Sequence, residues 1–379
     1  MRAILAKFLF LNTFLVMPLM AVESSSTTEL SDTTKPVKSK LSYVLNFSTK
    51  TASYSEGEDN SSQVQLGFSP QLTFKFTPSF IINADTTMNL SSSRVQSRYS
   101  NESNNNFVLN ELSMNYIPTD YAKFSLGALN QSHLNSPFLV SGISFPGVAA
   151  RIEKKINSLT LGYKGQNLIP TSTSFDSDRT NKEETPNLLT QGVFAKYDLS
   201  NSIRLGGQAN YFSFNNLPSI VAYDSKRLGN TVTGVATGDS HFANNFSGLS
   251  VSSYANIDYN KNIEQNLSIS IVENSQTESG NNRAQMIETN LSFKTKSVDY
   301  IPGVGVFYAE PDVSPAYYNT GLLGHNNREG IKYSLRAVFK KVNLAVQANY
   351  VDAKVINESI YQDDLTAVEL VMEMLNVKF

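Results

Sequence analysis

The chain contains no cysteine. That excludes disulfides, thiol catalysis, thiolate metal sites and a lipidated N-terminal cysteine. Tryptophan is also absent, and the three histidines, His133, His241 and His325, lie too far apart in sequence to set a metal-ligand spacing. Charged residues make up only 17% of the 379, with a formal net charge of -2, so nothing calls for a nucleic-acid partner. Past the N-terminus, no stretch approaches the ~20 apolar residues of a spanning helix. The glycine run over 234–238 lacks the strand-to-helix context of a phosphate loop. The acidic group Glu56, Glu58 and Asp59 reads as a solvated loop tip rather than a calcium site. No cofactor is expected.

What the chain does have is aromatic and small polar residues in alternation, with Tyr 18 and Phe 22. These types favour strands. The N-terminus carries Arg2 and Lys7, then a short apolar run ending near Ala21, the pattern of a cleaved signal peptide over residues 1–21. Residues 22–39 are polar and unpatterned and read as a flexible periplasmic tail. From residue 40 to 379 the apolar residues recur at period two in segment after segment. Leu41, Tyr43, Leu45 and Phe47 open the series. Val108, Leu112, Met114 and Tyr116 share one face of a later segment, and Ile331, Tyr333, Leu335 and Ala337 one further on. Sixteen such segments fit, the thirteenth blurred by Pro302 and two glycines. The last carries Val371, Leu375, Val377 and Phe379 on one face, with Glu373 interrupting the set in a way that invites a bulge.

Connections after even-numbered segments are short, and those after odd-numbered ones are expected to be longer and more polar. This is the asymmetry of a transmembrane barrel, with periplasmic turns at one end and external loops at the other. The last outward residue before a short turn is usually aromatic: Phe76, Tyr116, Tyr197, Tyr259, Phe293 and Phe339, with Ile152 the exception. Rings at one height read as an interfacial girdle. The opposite face is polar on the strands, as the wall of a water-filled lumen requires. It places Lys75, Lys123, Arg151, Lys164, Lys196, Arg204, Lys294, Lys332 and Arg336 inward against Asp85, Glu111, Asp258 and Glu288, which suggests a modest anion preference. The fold class is therefore all-β, an antiparallel transmembrane β-barrel of about 16 strands. In lipid its first strand must pair with its last, because every backbone group needs a partner.

A terminal strand that ends on Phe379 after Val377 and Leu375 resembles the closing strand of bacterial outer-membrane barrels, where these residues act as an assembly signal. The segment FVLNELSMNYIPTDYAKFSLGALNQ, with Glu111 on the descending strand and Gly127 on the ascending one, resembles a hairpin of the bacterial general porins. The resemblance covers residues 40–379, through topology more than identities. It implies that the following loop, residues 131–143, enters the lumen as an eyelet presenting Gln131, His133, Asn135, Ser136 and Phe138. In the porins that loop is acidic; here it has no Asp or Glu, which removes the basis for a transverse field. His133 itself reads first as an exposed loop histidine.

The segment Gly324-His325-Asn326-Asn327 resembles the histidine motif of outer-membrane phospholipases, but Asn327 stands where a serine is needed, so no enzyme is expected. The expected function is a passive channel for small hydrophilic solutes and ions in the outer membrane of a Gram-negative bacterium. Outer-membrane lipid and lipopolysaccharide are its surroundings, and the porin resemblance implies a homotrimer. The rival reading is an adhesin or structural barrel with a narrow or plugged lumen, suggested by the length of the fifth external loop.

Overall fold

Period-two alternation turns into strands along the whole chain from residue 40. The computed structural model describes residues 40–95, 102–132, 136–171, 183–278 and 280–377. The signal peptide and tail expected over 1–39 lie outside the described residues, as do His133, Asn135 and Phe379. The strands are β1 (Lys40–Glu56), β2 (Asp59–Thr77), β3 (Phe80–Val95), β4 (Glu102–Thr119), β5 (Ala122–Asn130), β6 (Ser144–Ile156), β7 (Leu159–Leu168), β8 (Asn187–Ser200) and β9 (Ile203–Asn215). A short helix, α1 (Ser219–Lys226), and a two-residue hairpin, β10 (Val232–Thr233) with β11 (His241–Phe242), follow. The barrel resumes with β12 (Phe246–Asn260), β13 (Ile263–Asn274), β14 (Arg283–Lys294), β15 (Val298–Ala309), β16 (Arg328–Phe339), β17 (Leu344–Val355) and β18 (Leu365–Val377).

Sixteen of these strands form one closed antiparallel barrel, in which β1 pairs with β2 on one side and β18 on the other. Closure leaves no edge, so each strand's backbone is paired without water. Outward positions hold Leu72, Leu126, Val193, Leu249, Ile287 and Leu335, all well exposed, as a hydrocarbon solvent demands. The expected girdle is present: Phe76, Tyr116, Tyr197, Tyr259, Phe293 and Phe339 all point outward near the short-turn end. Among the described residues, no helix is long and apolar enough to cross a membrane.

Four sequence expectations need correction. The first external connection is not long: β1 and β2 are joined by Gly57 and Glu58 alone. Nor is Glu56 a free loop tip, since it pairs with Arg328. Val108 does not share a face with Leu112. A bulge at Asn110 puts Leu109 opposite Thr86 and Val108 opposite the lumen-facing Thr87, which sends Phe107 outward instead. Val371 is likewise on the lumen face, opposite Lys50 and Gln347. The register shifts between Met374 and Val377, the bulge that Glu373 hinted at. Glu373, which broke the sequence pattern, is the last inward residue before that shift. A one-residue insertion flips every later side chain, and that is why period-two reading fails on the far side of a bulge.

Candidate functional site

The inner face of the barrel divides into two kinds of wall. On β1–β4 it is largely polar: Lys50, Gln63, Gln65, Gln71, Asp85 and Asn110 are partly accessible, with Ser48, Ser69 and Thr87 buried among them. Neighbours satisfy one another laterally. Gln71 donates to Asp85 (3.0 Å), Asn110 donates to Asp85 and Thr87 (3.0 and 2.6 Å), and the Ser69 and Thr87 hydroxyls bond at 2.6 Å. Glu111 accepts from Ser113 and Asn83 on the same wall.

On the other side, the external half of β12–β18 is apolar inside: Val272, Ala284, Met286, Phe307, Ala309, Val351, Ala353 and Ala367 are buried. Apolar residues facing a water-filled bore would be anomalous. Here they are covered by three loops that fold inward and form one hydrophobic cluster with them.

The third external loop, residues 131–143, is one of these. Its Phe138 is 0% exposed, with its ring 6.1 Å from Phe307 of β15. Ser136 reaches Ser270 of β13 (3.0 Å), a strand well round the barrel from β5 and β6, so the loop does enter the lumen. Gln131 is fully buried and bonds Leu129 and Gln166 rather than facing a passage. Gly127, just before this loop, has φ +130°, and a Cβ there would meet the Leu112 carbonyl oxygen at 2.0 Å, so only glycine fits.

The seventh loop, residues 310–327, is the second. Sequence reasoning missed it. It docks on the third through Ser141 N–H to the Tyr318 carbonyl (2.9 Å) and Thr320 N–H to the Pro137 carbonyl (3.0 Å). Tyr318 is buried between Phe145 and Phe214, and its hydroxyl donates to the Pro170 carbonyl. Burial holds that phenol well above its usual pKa, so it is a neutral donor.

The fifth loop, residues 216–245, is the third, and α1 lies in it with Val221 and Ala222 buried. Asn230 joins it to the seventh: its amide donates to the Pro311 and Ser314 carbonyls (2.8 and 2.9 Å) and its carbonyl accepts from Ala316 N–H (2.7 Å). Asp312, 1% exposed, accepts from Thr231 N–H (2.8 Å) and the Asn244 amide (3.0 Å). A buried carboxylate is tolerable only with such partners. A signal for this plug was present in the sequence. Phe138-Leu139-Val140 and Val313, Tyr317, Tyr318, Leu322 and Leu323 are far too apolar for loops that stand in water.

The plug is locked at the barrel seam by Arg328, 2% exposed. It donates to the Gly324 and Asp363 carbonyls (3.0 and 2.6 Å) and pairs with Glu56. At the external mouth a cavity of about 770 Å³ is lined by Gly57, Val355, Glu358, Asp363 and Asp364 among others, an acidic rim. His325 does not sit in a catalytic group. Its Nδ1 lies 2.9 Å from both the Ala316 carbonyl and Asn319 Oδ1, so it donates to them.

The inward charges are mostly cancelled, which weakens the anion preference expected above. Lys332 pairs with Glu288, Arg336 with Glu373, Arg204 with Asp258 and Glu264, Lys294 with Glu264, and Lys50 with Glu369. The acids Glu264, Glu369 and Glu373 were absent from the sequence count. On β5–β7 the balance differs. Lys123, Arg151 and Lys164 stand side by side in register, and among the described residues only Arg151 has an ion-pair partner, Glu153. Among the described residues, no group of histidines and carboxylates could hold a metal ion.

No family model matches the chain, and no curated protein matches it either. Solved structures do. The high-pH structure of OprB from Pseudomonas putida matches with a TM-score of 0.56 and 12% identity, over 88% of this chain and 94% of that one. Its low-pH structure gives 0.52 and 9%, over 88% and 92%. A loop L8 deletion mutant of OmpT, an outer membrane protein of Vibrio cholerae, gives 0.50 and 9%, over 89% and 99%. At such identities the likeness is one of fold, and the fold is that of the sixteen-stranded outer-membrane porins.

Proposed function

We propose that the protein is a restricted diffusion channel of the Gram-negative outer membrane. Small hydrophilic solutes pass along the polar β1–β4 wall, beside a plug that fills the other side. The observation that carries this reading is the segregation of the inner face. A barrel sealed across its whole section has no use for an accessible inner face carrying Lys50, Gln63, Gln65, Gln71, Asp85 and Asn110, since polar groups left unpaired cost ~1–3 kcal/mol each when buried in a packed core. The exposed apolar belt and the girdle support the membrane location, and the porin-like fold supports channel activity over catalysis. The β1–β18 pairing supports a role for Leu375, Val377 and Phe379 in assembly, since β18 is the strand that closes the barrel on β1. The homotrimer remains part of the proposal through the resemblance to the general porins.

The purified protein in liposomes tests the reading. Swelling should be fast with the smallest sugars and drop sharply with size. The same sample should migrate differently in a detergent gel before and after heating, because a closed barrel resists detergent. A heat-shifting protein that gives no swelling with any solute would support the rival reading of a structural or adhesive barrel. The close packing of Phe138, Tyr318 and Val313 is what favours that rival.

A further inference from the structure

We propose that the external mouth carries a docking surface for a basic peptide segment with apolar side chains. It is formed by Val235 and Ile360, at the tips of the fifth and eighth loops, and by the acidic cleft beside them. The proposal needs only the porin-like topology, which puts these loops outside, and not conduction. Among the described residues Ile360 is 91% exposed and Val235 84%, whereas the next most exposed large apolar residue, Phe107 of the lipid belt, is 64%. A single apolar side chain on a loop is ordinary. These two stand on external loops far apart in sequence, and one lysine joins them. Lys226 of α1 donates to the carbonyl of Gly234, next to Val235 (3.1 Å), and its Nζ lies 5.2 Å from the ring centre of Tyr361, next to Ile360.

Neither tip is free to tuck its side chain away. Asp239 Oδ1 accepts from Val235 N–H and Ala236 N–H (3.2 and 2.7 Å), which holds the turn of the β10–β11 hairpin. Ile360 sits in the eighth loop, residues 356–364, inside a turn closed by a bridge between Ser359 and Gln362. Tyr361 N–H donates to Ser359 Oγ (3.1 Å). Buried Gln362 anchors the turn on the plug, accepting from the Asn327 amide (3.0 Å) and donating to the Asn326 carbonyl (3.2 Å). Aliphatic groups held out together in this way mark an interaction surface.

Charge selects the occupant. Ile356 and Ile360 line the cleft of about 770 Å³ at the mouth together with Glu358, Asp363 and Asp364. Glu58 and Asp59 follow Gly57 at its edge, and Asp363 lies over that glycine, where a Cβ would meet its Oδ2 at 2.5 Å. None of these five acids has an ion-pair partner among the described residues. The cations nearby are engaged elsewhere: Arg328 with Glu56, Lys226 against Tyr361, Arg227 beside Asp224, and Lys354 on the outer face opposite Glu329. An apolar centre with a charged rim is the anatomy of a protein-binding surface, and complementary charge chooses the partner. Anionic lipid headgroups and a second copy of this surface would meet like charge here. A small hydrophilic solute gains nothing from Val235 and Ile360. A peptide that lays an apolar side chain against Ile356 and Ile360, and lysine or arginine against the acids, satisfies both halves.

The test is fluorescence anisotropy of a labelled synthetic peptide of alternating lysine and leucine, titrated with the full-length folded protein in non-ionic detergent at low ionic strength. Two control peptides replace leucine by serine, or lysine by glutamate. The lysine–leucine peptide should bind saturably and weaken as salt is raised. The lysine–serine peptide should bind about tenfold more weakly, and the glutamate–leucine peptide not at all. Ile360→Ser should weaken binding about tenfold and Val235→Ser several-fold. Glu358→Gln combined with Asp363→Asn should weaken it and flatten its salt dependence. Val342→Ser, which removes an exposed apolar side chain from a periplasmic turn, should change nothing. The heat-dependent gel shift shows that the barrel of each variant is closed. No saturable binding, equal binding of the lysine–serine peptide, or unchanged affinity in Ile360→Ser would overturn the proposal, as would a loss in Val342→Ser equal to that in Ile360→Ser. A protein that binds the peptide yet passes no solute refutes the channel and leaves the docking surface in place.

Discussion

Replacing Asp312 by alanine should loosen the plug while leaving the barrel intact. The carboxylate is 1% exposed and ties the seventh loop to the fifth. Its removal strands Thr231 N–H and the Asn244 amide, which donate to it at 2.8 and 3.0 Å, whereas the Asn230 amide keeps its bonds to the Pro311 and Ser314 carbonyls. Thr231 is exposed and Asn244 half-buried, so water can take over part of what these donors lose, and the cost sits at the low end of ~1–3 kcal/mol each. Part of this is returned because a buried charge is no longer desolvated. The net loss in the local free energy of loop closure is about 1.4 kcal/mol, which raises the opened population roughly tenfold. The strands' own pairing is untouched, so the heat-dependent gel shift should stay where it was. In single-channel recordings Asp312→Ala should show larger or noisier openings than wild type, and liposome swelling should admit larger sugars. Asp312→Asn, which keeps one acceptor, should fall between them. Unchanged conductance and an unchanged size limit in Asp312→Ala would refute the claim that this contact closes the lumen.

Acid should also loosen the plug, over a defined window. Burial and the nearby Arg328 push the His325 pKa down to about 4, against the hydrogen bond it donates to the Ala316 carbonyl, which acts the other way. A depressed imidazole pKa means that the opened loop takes up a proton the closed loop refuses, so closure weakens as pH falls from about 6.5 to 4 and levels off below that. Conductance recorded across this range should rise or become noisier, and His325→Gln should flatten the response. Arg328→Met should act on the whole barrel, because it removes the pair with Glu56 and the bonds to the Gly324 and Asp363 carbonyls at the β1–β18 seam. A loss of about 3 kcal/mol is expected for a buried cation whose partner is half-exposed, seen as a lower temperature for the gel shift.

The barrel was legible because lipid imposes a simple rule on sequence: outward residues apolar, inward residues polar, period two. Every strand segment found by that rule is a strand. The rule fails where the backbone adds a residue. Val108 and Val371 sit beyond or before a bulge, and only the polar Asn110 and Glu373 hinted at the phase change. It also fails where the inside is not water. Val272, Met286 and Phe307 were unremarkable strand residues until the loops that cover them were seen to fold back. That the third loop would fold inward was implied by the porin resemblance alone. Its role as a hydrophobic stopper, and the part played by the seventh loop, did not, because the partners of Phe138 and Tyr318 are distant in sequence. Charge was misjudged for the same reason. Inward lysines and arginines are easy to count, but Glu369 and Glu373, which neutralise Lys50 and Arg336, lay on a strand whose register had been assigned the other way.

The absence of cysteine makes the central claim directly measurable, since any introduced thiol is unique. Gln65→Cys places one on the polar wall of β2, opposite Lys50, and Met286→Cys places one on β14 behind the plug. A charged, thiol-specific methanethiosulfonate reagent added during single-channel recording should reduce the current through Gln65→Cys in one step and leave Met286→Cys unmodified and unchanged. A Gln65→Cys channel indifferent to the reagent, or a Met286→Cys channel blocked by it, would place the passage elsewhere and contradict the division of the lumen into an open polar wall and a plugged apolar one.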